Sequence, residues 1–185
     1  MAKIFEDYFT DLQADMVSIC LEYSEKRVEK IYIYGSIENN TTAFNVFFEA
    51  KGKILHLNEL NSVLEENNKI DDHIDRQFGV LQIGVEDLEK IEKLCKEYSM
   101  DIPTEIKIEY DVLKNSMDAK YQYENVYSNT KDKTDDDVFN DWFDEVSNRN
   151  WLYWYKTITD KAENLLKNAS LLVKRILEVF LQQNK

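Results

Sequence analysis

The sequence predicts an α+β fold: an antiparallel sheet of about five strands with helices packed mainly on one face. Three observations lead there. The β-rich stretches follow one another as hairpins, not as strands separated by crossover helices. Amphipathic helical stripes precede, interrupt and follow them. Of the 185 residues, 43% are apolar and 12% aromatic, enough to build one sizeable core. The expected order of elements is α-β-β-β-α-β-β-α-α.

In residues 4–25, Phe5, Phe9, Leu12, Met16, Ile19 and Tyr23 recur in steps of four and three, one face of a helix. Asp7, Asp11, Asp15 and Glu22 take the opposite face. Residues 28–37, "VEKIYIYGSI", are rich in β-branched and aromatic side chains and read as a strand. "ENNTT" supplies turn residues, "AFNVFFEA" (43–50) a second strand, "KGK" a tight turn and "ILHL" (54–57) a third strand. Residues 58–84 carry mixed signals. They predict a short helix in "NELNSVLEENNKIDDHIDRQ" and a short strand at "FGVLQI" (78–83). Val85, Leu88, Ile91, Leu94, Cys95 and Tyr98 then form a second helical stripe, and Pro103 blocks further helix.

"TEIKIEYDV" (104–112) alternates Ile106, Ile108, Tyr110 and Val112 with Glu105, Lys107, Glu109 and Asp111. "AKYQYEN" (119–125) alternates through Ala119, Tyr121 and Tyr123, which makes a hairpin across "LKNSMD" with one covered and one wet face. A polar loop (126–134) leads to a helix capped by Thr134 or Asp135 and running to about 147. A bend is expected at "NRNWLYWY", followed by a long helix over about 152–182. Two parts result: an acidic α+β domain (1–150) and a C-terminal amphipathic helix (151–185).

The formal net charge is −13. Residues 151–185 hold six basic side chains (Lys156, Lys161, Lys167, Lys174, Arg175, Lys185) and three acidic ones (Asp160, Glu163, Glu178), a net +3 that leaves −16 on the first 150 residues. Such a body is repelled by nucleic acid and by anionic lipid, so neither is an expected partner, whereas a basic protein surface is. The first residues contain no uncharged hydrophobic leader. No run approaches the ~18 apolar residues of a membrane helix, and the expected location is cytoplasmic. Cys20 and Cys95 lie in helical patterns, without CxxC spacing, and read as reduced core thiols.

Residues 128–146, "SNTKDKTDDDVFNDWFDEV", join an acidic run to aromatic residues. A calcium loop needs spaced oxygen ligands, a turn glycine and a closing glutamate, and this stretch lacks the glycine. Paired-carboxylate catalysis needs two carboxyls converging in a pocket, which neighbours on one solvated helix turn do not supply. His56 and His73 lack zinc-site spacing. No G-x-S-x-G elbow, GxGxxG or Walker loop occurs, and "YGS" (34–36) reads as strand. Catalytic, cofactor and metal residues are therefore not expected.

What remains is protein binding. Asp135, Asp136, Asp137, Asp141, Trp142, Asp144 and Glu145 form a candidate docking edge, a charged rim around an aromatic anchor. The alternative is a capped helix that packs on the sheet through Phe139, Trp142, Phe143 and Val146. Tyr32 and Tyr34 oppose Ile31 and Ile33 on the first strand, and serve either as exposed interface or in packing against "NVFFEA". In the last helix Ile158, Ala162, Leu165, Ala169, Leu172, Ile176 and Val179 repeat at steps of four and three, an a/d seam that Leu166, Val173, Leu177 and Phe180 widen. Leu165, Leu172, Ile176 and Val179 are its candidates for self-association as a homodimer. The alternatives are packing back onto the domain or lying on a membrane surface.

Residues of about 4–147 resemble the YezG-like family of bacterial immunity proteins, antitoxins of LXG-type polymorphic toxins. The resemblance rests on the N-terminal amphipathic helix and "KIYIYGSIENNTTAFNVFFEAKGKIL", then the helix "VEDLEKIEKLCKEY" and the hairpin "EIKIEYDVLKNSMDAKYQYENV". The acidic loop into "DDDVFNDWFDEV" completes it. The helix 151–185 lies outside it. The resemblance implies a non-enzymatic protein that neutralises a cognate, nuclease-type toxin by stoichiometric occlusion. The alternative from the residues alone is a non-enzymatic scaffold or regulatory module that oligomerises through its C-terminal helix.

Overall fold

The computed structural model describes the backbone of residues 4–183 and the side chains of residues 4–167. It divides into two compact units, Met1–Val146 and Ser147–Lys185. The boundary falls four residues before the one expected from the sequence.

The first unit opens with α1 (Phe5–Tyr23), whose buried Gln13, Met16, Val17, Cys20 and Tyr23 keep the three-four rhythm. The Asp7 carboxylate accepts the Ile4 N–H at 3.1 Å and ties off the first turn. Strand β1 (Lys30–Glu38) turns back into β2 (Thr41–Ala50) through Asn39 and Asn40, both at positive φ (53° and 60°). Two left-handed residues match the twist of a tight hairpin, and asparagine tolerates that conformation. Lys51 and Gly52 repeat the device into β3 (Lys53–His56). The hairpin of β4 (Glu105–Asp111) and β5 (Ser116–Gln122) completes a five-stranded sheet in the order β3-β2-β1-β4-β5. Every pairing is antiparallel, so the expected α+β fold and its element order are present.

Three local expectations are corrected. Residues 57–68 form two short 3-10 turns, Leu57–Ser62 and Glu66–Asn68. "FGVLQI" is not a strand, because α2 begins at Ile74 and runs to Tyr98. Its buried positions Val80, Gly84, Leu88, Ile91 and Cys95 are helically spaced, and packing on the sheet overrides the β-branched composition. The bend expected at "NRNWLYWY" is helical, inside one continuous α3 (Asp135–Gln183). The last Gly is Gly84 and the only Pro is Pro103, so nothing after them breaks a helix.

The main core lies between one sheet face and α1 and α2. It holds Ile31, Ile33, Phe44, Val46, Phe48, Ile106 and Ile108 from the strands, with Met16, Cys20, Leu88, Ile91 and Cys95 from the helices. Both cysteines are free and buried, and burial pushes both thiols up. Tyr23 donates its hydroxyl to the Leu57 carbonyl at 3.0 Å, and burial first, then the Asp72 charge, pushes its phenol up to about 12.

The opposite sheet face is covered as well. Tyr32, Tyr34 and Phe47 pack there against Tyr127 and against Val138, Phe139, Trp142 and Val146 of α3. Two helices thus cover one face, and the first turns of a third cover part of the other.

Candidate functional site

The first turns of α3 sort their side chains by chemistry. Thr134 is the cap. Its hydroxyl accepts the Asp137 N–H at 3.3 Å, and the Asp137 carboxylate accepts the Thr134 N–H and hydroxyl, each at 2.8 Å. This reciprocal pair uses an aspartate where glutamate is usual. Those Thr134 hydrogen bonds hold the Asp137 carboxyl below the usual aspartate range. Asp135, Asp136 and Asp137 also complement the positive end of the helix dipole.

The inward side is aromatic. The Trp142 ring stands edge-on to Phe47 at 4.9 Å and to Tyr32 at 5.9 Å. Phe139 meets Phe47 and Tyr34 at 5.8 and 6.0 Å. Phe143 meets Phe47 at 5.2 Å and carries the His56 ring stacked on it at 3.9 Å. Tyr32 lies flat on its cross-strand neighbour Phe47, with centroids 4.7 Å apart and planes 9° apart. Tyr32, Tyr34 and Trp142 are 3%, 0% and 5% exposed, which corrects their expected place in a docking surface. They bind α3 to the sheet.

The outward side carries charge. Asp136, Asp137, Asp141, Asp144 and Glu145 are exposed, and Asp135 is half-buried. Lys133 reaches across to Asp141 at 2.8 Å, and that hydrogen bond raises the lysine's pKa. Beside this ridge a shallow groove of about 320 Å³ runs between α3 and the β4–β5 edge. Its walls include Glu105, Lys107, Glu124, Lys133, Asp141 and Trp142. The Lys107 ammonium lies 3.0 Å from Glu105 and 5.6 Å from the Trp142 ring centre. The sequence did not point to Glu105, Lys107, Glu124 or Lys133. The first two show only as the wet positions of an alternating strand, and nothing local brings them to α3.

A buried carboxylate sets where the ridge begins. Glu38, 3% exposed, accepts the N–H groups of Val126 and Ser128 at 3.2 and 3.1 Å and the Ser128 hydroxyl. The Tyr127 and Ser36 hydroxyls lie 3.0 Å apart alongside. Burial alone would raise the Glu38 carboxyl, but the hydrogen bonds from Ser128 and Val126 outweigh it and hold the group below its ordinary value of 4.5. A depressed carboxyl stabilises the folded state above its unfolded value, and that contribution is lost as pH falls through the folded value. We therefore expect Glu38→Gln to lower stability near neutral pH and to flatten the loss of stability on acidification below about pH 4.5. Urea midpoints at pH 7 and pH 3 measure both. Parallel pH profiles for variant and parent would show that the Glu38 charge does not hold the loop.

The remaining candidates have structural places. His73 caps α2, its Nδ1 accepting the Asp75 N–H at 3.4 Å. Among the described residues, no group of three His, Cys, Asp or Glu side chains is placed to hold a metal ion. Among them, too, the Glu38, Asp111 and Asp137 carboxyls are displaced downward. No helix of the described residues is long and apolar enough to cross a membrane. Leu165 of the second unit is exposed, and the side chains of Leu172, Ile176 and Val179 lie outside the described residues.

Compared with known protein families and with curated proteins, the chain matches no family model and no curated sequence.

Proposed function

We propose that the chain is a binding protein that docks a basic protein partner on the acidic ridge of α3. In this reading it acts in the cytoplasm as an immunity protein, neutralising a cognate nuclease-type toxin by stoichiometric occlusion. The observation that carries the reading is the division of the first turns of α3, residues 135–146: their aromatic side is used up by the fold, while five carboxylates remain exposed on the other. A nuclease must hold phosphates and is electropositive where it does so, and an acidic ridge on a strongly acidic body is steered to such a surface. The resemblance to YezG-like immunity proteins read from the sequence of residues 4–147 would imply the same partner class.

The test is a titration against the toxin domain encoded beside this gene, following complex formation and nuclease activity together. Equal stoichiometry with loss of activity is expected. Replacing Asp136, Asp141 and Asp144 together by Lys should weaken binding by about 100-fold, mainly through a slower, less salt-dependent association. Absence of binding, or binding without inhibition, would sink the immunity reading. Undiminished binding by the triple variant would move the site away from the ridge.

A second reading has its own observation. Large apolar side chains from Trp151 to Leu166 are exposed, which favours a scaffold that assembles through its C-terminal helix.

A further inference from the structure

Trp151, Leu152, Tyr153, Trp154 and Tyr155 are exposed by 58, 58, 74, 55 and 53%. Five successive large apolar residues surround more than one full turn of helix. Ile158, Leu165 and Leu166 follow at 43, 70 and 71%. A helix apolar on this scale is one that some other surface covers.

The spacing identifies the kind of surface. Ile158, Ala162 and Leu165 are separated by four and three. The same rhythm continues backward, with Tyr155 three residues before Ile158 and Trp151 four before Tyr155. The Trp151 and Tyr155 rings stack 5.4 Å apart, with planes 15° apart, so they present one continuous strip. A three-four repeat is what another helix bearing the same repeat can take up, and the small basic excess of residues 151–185, six basic against three acidic side chains, gives anionic lipid little to hold. The strip itself contains no charged residue, so pairing two copies buries no unpaired charge. Two aromatic rings and the smaller Ile158, Ala162 and Leu165 on each of two copies remove roughly 1,000 Å² from water, about the lower end of specific interfaces.

We propose that the second unit is a self-association element whose occupant is the same helix of a second copy. Its seam starts at Trp151 and runs through Tyr155, Ile158, Ala162 and Leu165. The inference deepens the second functional reading but does not need a toxin. If the acidic ridge also docks a partner, the dimer carries two such ridges and takes two partner molecules.

Sedimentation equilibrium of the full chain between about 1 and 100 μM tests it. The expected mass at the upper end is twice the 22.0 kDa chain mass. Ile158→Asp and Leu165→Asp, each checked for retained helix by circular dichroism, should raise the dimer dissociation constant at least about 100-fold. Leu113→Asp, at an 83% exposed residue off the seam, should leave it unchanged. A single-chain mass throughout, or seam variants that dimerise like the parent, would overturn the proposal. A single-chain mass together with flotation on anionic phosphatidylserine vesicles would assign the strip to a membrane surface instead. The mass measurement needs no partner protein, so its failure is separate from failure of the immunity reading.

Discussion

Trp142→Ala is expected to lower the stability of the first unit by about 3–5 kcal/mol, the range for deleting a buried large aromatic. That is a large share of the ~5–15 kcal/mol available to a domain. The ring is 5% exposed and stands edge-on to both Phe47 and Tyr32, so its loss opens a cavity between α3 and the sheet. Stacked Tyr32 and Phe47 are stiff, and Lys107, 5.6 Å above the indole, would lose its aromatic seat. Urea unfolding measures the loss. Fluorescence gives an independent reading, because Trp142 is buried while Trp151 and Trp154 are exposed. The blue-shifted part of the emission therefore belongs to Trp142 and should vanish in the variant. Trp142→Phe should recover much of the stability. A loss below about 1 kcal/mol would mean that the first turns of α3 are not held on the sheet as described.

Gly84→Ala is expected to be the most damaging single-methyl change in the first unit. A Cβ there would lie 2.3–2.4 Å from three ring carbons of Phe44, a fully engaged core aromatic that cannot move aside cheaply. Overpacking of this kind costs about 1–3 kcal/mol and occasionally more, and here the clash pushes α2 off β2. Gly79 lies in the same helix, five residues earlier, and a Cβ there would meet nothing within 4 Å. Gly79→Ala should therefore stabilise by about 0.5–1 kcal/mol, the ordinary gain of removing a glycine from a helix interior. Thermal melts of the two variants against the parent decide the matter. Equal effects at the two positions would contradict the close approach of α2 to the sheet at Gly84.

The candidate site was half legible. The carboxylates from Asp135 to Glu145 stood out as an acidic run, and helical spacing put Trp142 and Phe139 on a common side. Spacing does not say whether that side meets the protein's own sheet or a partner. The structure turns it inward, so the docking candidate is reduced to its charged half. Tyr32 and Tyr34 changed category for the same reason. Alternation separates them from Ile31 and Ile33, but only a helix more than a hundred residues later decides that both faces of β1 are covered.

By itself the sequence determined that two sets of strands pair as hairpins, though it set the last strand at 119–125 and not at Ser116–Gln122; it also determined α1, the second half of α2 and the partition of charge between the two parts of the chain. These depend on neighbours a few residues apart: asparagines at a two-residue turn, apolar side chains at steps of three and four, and a plain count of ionised groups. Only the tertiary structure decided that residues 74–84 are helical, that α3 runs on past Val146, and that Glu38 anchors the loop at Val126 and Ser128. For residues 74–84 and for Glu38 the deciding contact joins residues far apart in the chain. A short apolar run suits a strand or a helix until the surface it must cover is known, and a glutamate ending a strand reads as solvated until a distant loop brings its backbone donors.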